Sequence, residues 1–191
     1  MIFITERTHV FKQSLILGEE GEAKIYDYLK TQEKTELVKD VRNDKEHQSK
    51  DIDFIVTQKN GRIFSVEVKT DQYDSQNLFY ETISAVETNS IGCMEKSQAK
   101  YLIYYFTKFE KFYLIDLKEF NTWIRKLIAK QSPVLKLKQF KNDRYDGSQY
   151  TSQGYTIPLL YIENNFPVKY CKAIKLDGTL KDDVDANKTN N

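Results

Sequence analysis

Asp51, Asp53, Glu67 and Lys69 fall within DIDFIVTQKNGRIFSVEVKTD, residues 51–71, where the other residues alternate as strand residues do. Acids and a lysine two residues apart along a strand project from one face. Carboxylate oxygens so gathered can hold hard cations, and an ammonium beside them can orient or move a proton. The plainer alternative is the solvated face of an amphipathic hairpin.

Hairpin register separates the two readings. Asn60-Gly61 marks the turn. A two-residue loop sets Phe54 against Glu67 and mixes apolar with charged residues on both faces. A three-residue loop, Lys59-Asn60-Gly61, with Gly61 at a left-handed bulge position, makes every cross-strand pair agree. Ile52, Phe54 and Val56 then face Val68, Val66 and Phe64 on a dry side, while Asp53 stands opposite Glu67 and Asp51 opposite Lys69. Two carboxylates on facing positions, with Cβ atoms ~5 Å apart, repel unless a positive charge lies between them. A divalent metal is the natural candidate.

An aspartate at the head of one strand and Glu67-Val68-Lys69 in the next resemble the signature of the PD-(D/E)XK nuclease superfamily. Upstream, GEEGEAKIYDYL at 18–29 is similar to the first helix of Holliday-junction-resolvase-like and Mrr-like members. The resemblance spans residues 14–106. The proline of the motif is absent, since Ser49 and Lys50 precede Asp51. Either Asp51 or Asp53 could stand for the motif aspartate, and the position opposite Glu67 favours Asp53.

The resemblance implies an α/β fold with a restriction-endonuclease-like core, a mixed central β-sheet flanked by helices. It also implies a metal-dependent nuclease, an endonuclease acting on DNA. Asp53, Glu67 and the carbonyl of Val68 would hold Mg²⁺, with Mn²⁺ as a substitute, and Glu22 would support the site as a further acid. Lys69, its pKa lowered by the nearby metal, would orient or deprotonate the attacking water. For Glu22 the alternative is a solvated helix edge. A catalytically silent nuclease-fold module that binds nucleic acid or a protein is the competing function.

To position these residues the chain offers a helical pattern over 11–29, in which Leu15, Ala23, Tyr26 and Leu29 recur on one stripe. Strands are expected at 35–42, 52–58, 62–69, 99–106 and 111–117, followed by a helix that stops before Pro133. Residues 77–87, NLFYETISAVE, read as a helix or an irregular segment reaching toward the site, with Glu81 a structural acid rather than a ligand. From Lys136 onward Lys138, Lys141 and Arg144 interleave with Tyr145 and Tyr150. That mixture grips phosphates and stacks bases, and it is also what an ordinary polar hairpin looks like. The expected organisation is a core at 1–131, an extension packed on it at 132–180, and a polar tail at 181–191.

The whole-chain numbers limit the partners. Twenty-nine basic against twenty-eight acidic residues leave a net charge of +1 over 191 residues. No bulk attraction to nucleic acid follows, so a binding surface must be local. Cys93 and Cys171 stand alone, without disulfide or zinc spacing. His9 and His47 lack companions at metal spacing, and no Gly-rich phosphate loop is present. A cytoplasmic protein is expected, with nucleic acid as partner, no membrane, and a homodimer as a compatible assembly.

Overall fold

The computed structural model describes residues 3–9, 11–144 and 146–177, with side chains from Leu15 onward. The chain runs β1 (Phe3–His9), α1 (Phe11–Thr31), β2 (Thr35–Asp40), α2 (Lys45–Ser49), β3 (Phe54–Gln58), β4 (Ile63–Asp71), β5 (Asn77–Ala85), β6 (Ser90–Ile91) and α3 (Cys93–Lys96). It continues through β7 (Tyr101–Phe106), β8 (Lys111–Asp116), α4 (Leu117–Ala129), β9 (Lys136–Asp143), β10 (Gln149–Pro158), α5 (Leu159–Asn165) and β11 (Cys171–Lys175). Tyr145 lies outside the described residues.

Six strands form a mixed central sheet in the order β11-β8-β7-β4-β3-β2, with β4 and β7 parallel and the other pairs antiparallel. Helices cover both faces. On one side Ile25 and Leu29 of α1 pack against Phe54, Val56, Val66, Val68, Ile103 and Tyr105. On the other, Leu102, Tyr104 and Phe106 pack with Phe120 and Ile124 of α4 and Ile162 of α5. This is the α/β architecture with a mixed, helix-flanked sheet that the sequence led us to expect.

The β3–β4 register is the three-residue-loop register: Phe54 pairs with Val66 and Val56 with Phe64. Gln58 N–H donates to the Arg62 carbonyl, leaving Lys59, Asn60 and Gly61 in the loop, and Gly61 has φ +82°. Only glycine adopts that backbone without strain.

Other elements differ from expectation. Residues 77–85 are not helical; β5 is a strand whose Leu78 and Tyr80 are fully buried. It belongs to a second sheet, β1-β9-β10-β5-β6, in which β1 runs parallel to β9. The basic segment forms the β9–β10 hairpin of that sheet, and β11 returns to the central one. The buried stripe of α1 is also rotated. Ala23 is exposed and Leu15 half-exposed, while Gly21, Ile25 and Leu29 face the sheet.

Gly21 explains the rotation. An added Cβ there would lie 2.1 Å from Thr70 Oγ1 on β4, so only glycine lets the helix approach this closely. Glu22, the next residue, is thereby held near the end of the hairpin. No helix among the described residues is long and apolar enough to cross a membrane.

Candidate metal centre

Strand geometry delivers the charged residues to one place. Asp53 immediately precedes β3, and its N–H donates to the Val66 carbonyl at 2.9 Å, so the register slips by one residue where the strand begins. Its side chain enters the same cleft as Glu67 of β4. With Lys69, Glu22, Arg42, Gln48 and Asp51, these two acids line a cleft of about 470 Å³.

Glu67 is only 4% exposed and Lys69 36%. Lys69 Nζ lies 2.8 Å from Glu67 Oε1. Asp53 Oδ2 accepts the Val68 N–H at 2.7 Å. Both carboxyl groups lie in the same cleft, close enough for their charges to act on each other.

Burial, followed by the adjacent Asp53 and Asp51 charges, pushes Glu67 up to about 8 against the pull of Lys69. Asp53 is raised mainly by burial, with the Val68 N–H opposing. Burial draws the Lys69 ammonium down, but the neighbouring Cys93, Glu67 and Asp53 groups outweigh it and hold it above the usual lysine range. The downward shift expected for Lys69 rests on a nearby metal; the Cys93 and Glu67 groups beside it move it the other way.

Two positions depart from the sequence reading. Asp51 does not face Lys69, because its backbone turns left-handed at φ +48° and its carboxylate pairs with Lys96 Nζ at 2.8 Å. Glu22 reaches the cleft, yet its Oε2 is taken by Arg42 Nη1 at 2.8 Å. Arg42 also forks onto Asp40 and lies over the Phe54 ring at 5.3 Å. Arg42 and Gln48 also line the cleft, and no spacing or motif singles them out. Gln48 Nε2 donates to the Arg42 carbonyl, which fixes the loop carrying the arginine.

The donor set suits a hard divalent cation in part. Asp53 and Glu67 supply carboxylate oxygens to one cleft, and a cation bound there would relieve the repulsion between them. As they stand, no three His, Cys, Asp or Glu side chains among the described residues converge on one point. Two carboxylates with the remaining positions left to water and substrate phosphate is an ordinary Mg²⁺ arrangement.

The residues singled out for nucleic acid are less gathered. Lys138 and Lys141 stand three apart on β9 and so project to opposite faces, Lys138 lining a cavity beside the cleft. Arg144 follows the strand, stacked over Tyr150 at 5.0 Å. Glu81 Oε2 accepts the Cys93 N–H at 3.0 Å, at the start of α3.

A mixed, helix-flanked sheet carrying an aspartate opposite a Glu-x-Lys strand defines the restriction-endonuclease-like, PD-(D/E)XK class of nuclease folds. Within that class the chain belongs to the nuclease-related domain (NERD) family, whose model matches residues 17–129. That span holds Glu22, Asp53, Glu67 and Lys69 and ends before β9. No curated protein matches the chain, and no solved structure does.

Proposed function

We propose that this protein is a Mg²⁺-dependent endonuclease that hydrolyses phosphodiester bonds of DNA in the cytoplasm, with Mn²⁺ able to replace Mg²⁺. The observation that carries the reading is the meeting of Asp53, Glu67 and Lys69 in one open cleft, with Lys69 Nζ 2.8 Å from the Glu67 carboxylate.

Asp53, Glu67 and the Val68 carbonyl would hold the ion, which when bound supplies an acidic water and neutralises charge on the phosphate oxygens. Lys69 stays protonated beside the carboxylates. It orients the attacking water and shields charge developing on phosphorus, a task its compact ammonium suits. Glu22 supports the site once Arg42 releases it. Arg42, with its guanidinium in the cleft, is then placed to meet a phosphate oxygen. A homodimer is the assembly we propose, testable by sedimentation.

The Arg42–Glu22 pair also favours a second reading, a silent module in which the acids form a permanent polar network that binds nucleic acid or a protein. Metal titration separates the two. Purified protein is incubated with single-stranded, duplex and branched DNA and with RNA, with and without Mg²⁺ or Mn²⁺. Asp53→Asn and Glu67→Gln should lose metal affinity and cleavage together while remaining folded. If the wild type binds neither ion and cuts none of these substrates, the module reading replaces the nuclease.

A further inference from the structure

A second cavity, of about 520 Å³, adjoins the metal cleft. The two share walls. Helix α1 gives Leu15 and Gly18 to the cleft and Leu17 to the cavity, and β4 gives Lys69 to the cleft and Thr70 and Asp71 to the cavity. Lys69 and Asp71 are two residues apart along one strand, ~7 Å, and share a face. Strands β5, β9 and β10 of the second sheet close the far side.

The lining combines flat apolar surface with hydrogen-bond acceptors. Phe79 and Phe140 meet edge to face at 5.0 Å and 86°. The Tyr104 hydroxyl donates to Asp71 Oδ2 at 3.2 Å and so has no proton left to give. Asn142 Nδ2 donates to the Phe140 carbonyl at 3.2 Å and to Ser152 Oγ at 3.1 Å. The carbonyl can only accept, which fixes the amide's orientation. What Asn142 offers a ligand is therefore its acceptor, Oδ1.

A cavity of this size lies within the ~300–1,000 Å³ typical of small-molecule sites. Two acids, Asp71 and Glu81, against one ammonium, Lys138, among the described lining residues disfavour a phosphate inside it. A planar heterocycle bearing an amine fits instead, stacking on the aromatic rings while the amine donates to the acceptors. We infer that the cavity receives one unstacked nucleobase of the bound strand, one with an exocyclic amine: adenine, cytosine or guanine. The neighbouring phosphodiester then lies over Asp53 and Glu67. Lys138, on the same cavity wall, is placed to meet the next phosphate. The placement of the strand rests on the nuclease reading above; the affinity for a base does not.

The test uses the full chain in EDTA, titrated with 2′-deoxyadenosine, 2′-deoxycytidine and thymidine, none of which carries a phosphate, and followed by NMR shifts. Deoxyadenosine and deoxycytidine should bind, and thymidine at least about fivefold more weakly, as one lost hydrogen bond implies. Phe140→Leu, which keeps an apolar side chain, and Asn142→Ala should each weaken binding about tenfold or more, in the range set by base stacking and base-edge contacts. Asp53→Asn should leave nucleoside affinity unchanged. Absence of binding by all three nucleosides, equal binding of thymidine, or indifference to Phe140→Leu would overturn the inference and leave any metal-dependent cleavage standing. Selective nucleoside binding by a protein that cuts nothing would keep the cavity assignment and remove the nuclease reading instead.

Discussion

Gly18 and Gly21 lie three residues apart on α1, and the same substitution at the two should have opposite signs. At Gly18 an added Cβ meets nothing within 4 Å. Alanine there gains only the helix preference over glycine, ~1 kcal/mol of added stability. At Gly21 the same gain is opposed by a Cβ placed 2.1 Å from Thr70 Oγ1 and 2.8 Å from Thr70 Cγ2. Thr70 is β-branched and sits within a central strand, so it cannot swing away as a long chain would. Overpacking of this kind costs ~1–3 kcal/mol, and a 2.1 Å approach belongs at the upper end. Gly21→Ala should therefore lose about 2 kcal/mol net, and the two variants should differ by about 3 kcal/mol. For a chain of this length that gap is roughly 6–12 °C in Tm. Thr70→Ala should rescue Gly21→Ala, since Thr70 Oγ1 is buried without a hydrogen-bond partner and little is lost with it. Thermal unfolding of wild type, Gly18→Ala, Gly21→Ala, Thr70→Ala and the Gly21→Ala/Thr70→Ala double variant, which closes the cycle, gives the coupling directly. Equal melting temperatures for Gly18→Ala and Gly21→Ala would refute the close approach and, with it, the account of how Glu22 reaches the cleft.

Further outcomes follow from the charged cleft. Glu67 is raised to about 8 in the folded protein, so its contribution to stability is fully present below its ordinary value of 4.5 and is lost as pH rises through about 8. Chemical denaturation in EDTA should show this decline between those values, and Glu67→Gln should flatten it; an unchanged slope in that variant would assign the titration elsewhere. Lys69→Ala leaves both carboxylates in place, so calorimetry should still detect Mg²⁺ while turnover falls by ~10²–10⁴-fold; undiminished turnover would remove Lys69 from the chemistry. Charge reversal at Lys138, Lys141 and Arg144 should weaken DNA binding. Because Lys138 and Lys141 project to opposite faces of β9, reversing Lys138 alone should account for most of the change in salt slope, ~1 unit per lost phosphate contact. An unaltered slope for the triple variant would leave the β9–β10 hairpin with a structural role alone.

Local rules made the hairpin legible. Alternation fixed which residues share a face, Asn60-Gly61 fixed the turn, and together they chose the register seen between Phe54 and Val66. Where long-range pairing decides, the sequence misleads. Leu78 and Tyr80 alternate, but Glu81 and Ala85 follow at helical spacing, and the strand is settled by β10, whose Gly154 pairs with Glu81. The strand β1 has its partner in β9, beyond any local pattern. Asp51 left its expected place because a left-handed turn precedes β3 and Lys96 supplies a cation. Arg42 could not be recognised, since nothing in TELVKDVR distinguishes an arginine aimed at an acid on a distant helix from one facing water.

The pairing of β5 with β10 also sets a timetable for assembly. Helix α1, β2 and the β3–β4 hairpin draw their mutual contacts from residues 11–71, so the acids of the cleft can meet while the rest of the chain is still being synthesised. The adjoining cavity cannot. Its wall needs contacts such as Thr82 Oγ1 to the Gln153 carbonyl, 71 residues apart, and closing so long a loop is slow. Until then Leu78 and Tyr80 on the nascent β5 lack their final cover, which leaves this strand open to mispairing between copies during synthesis.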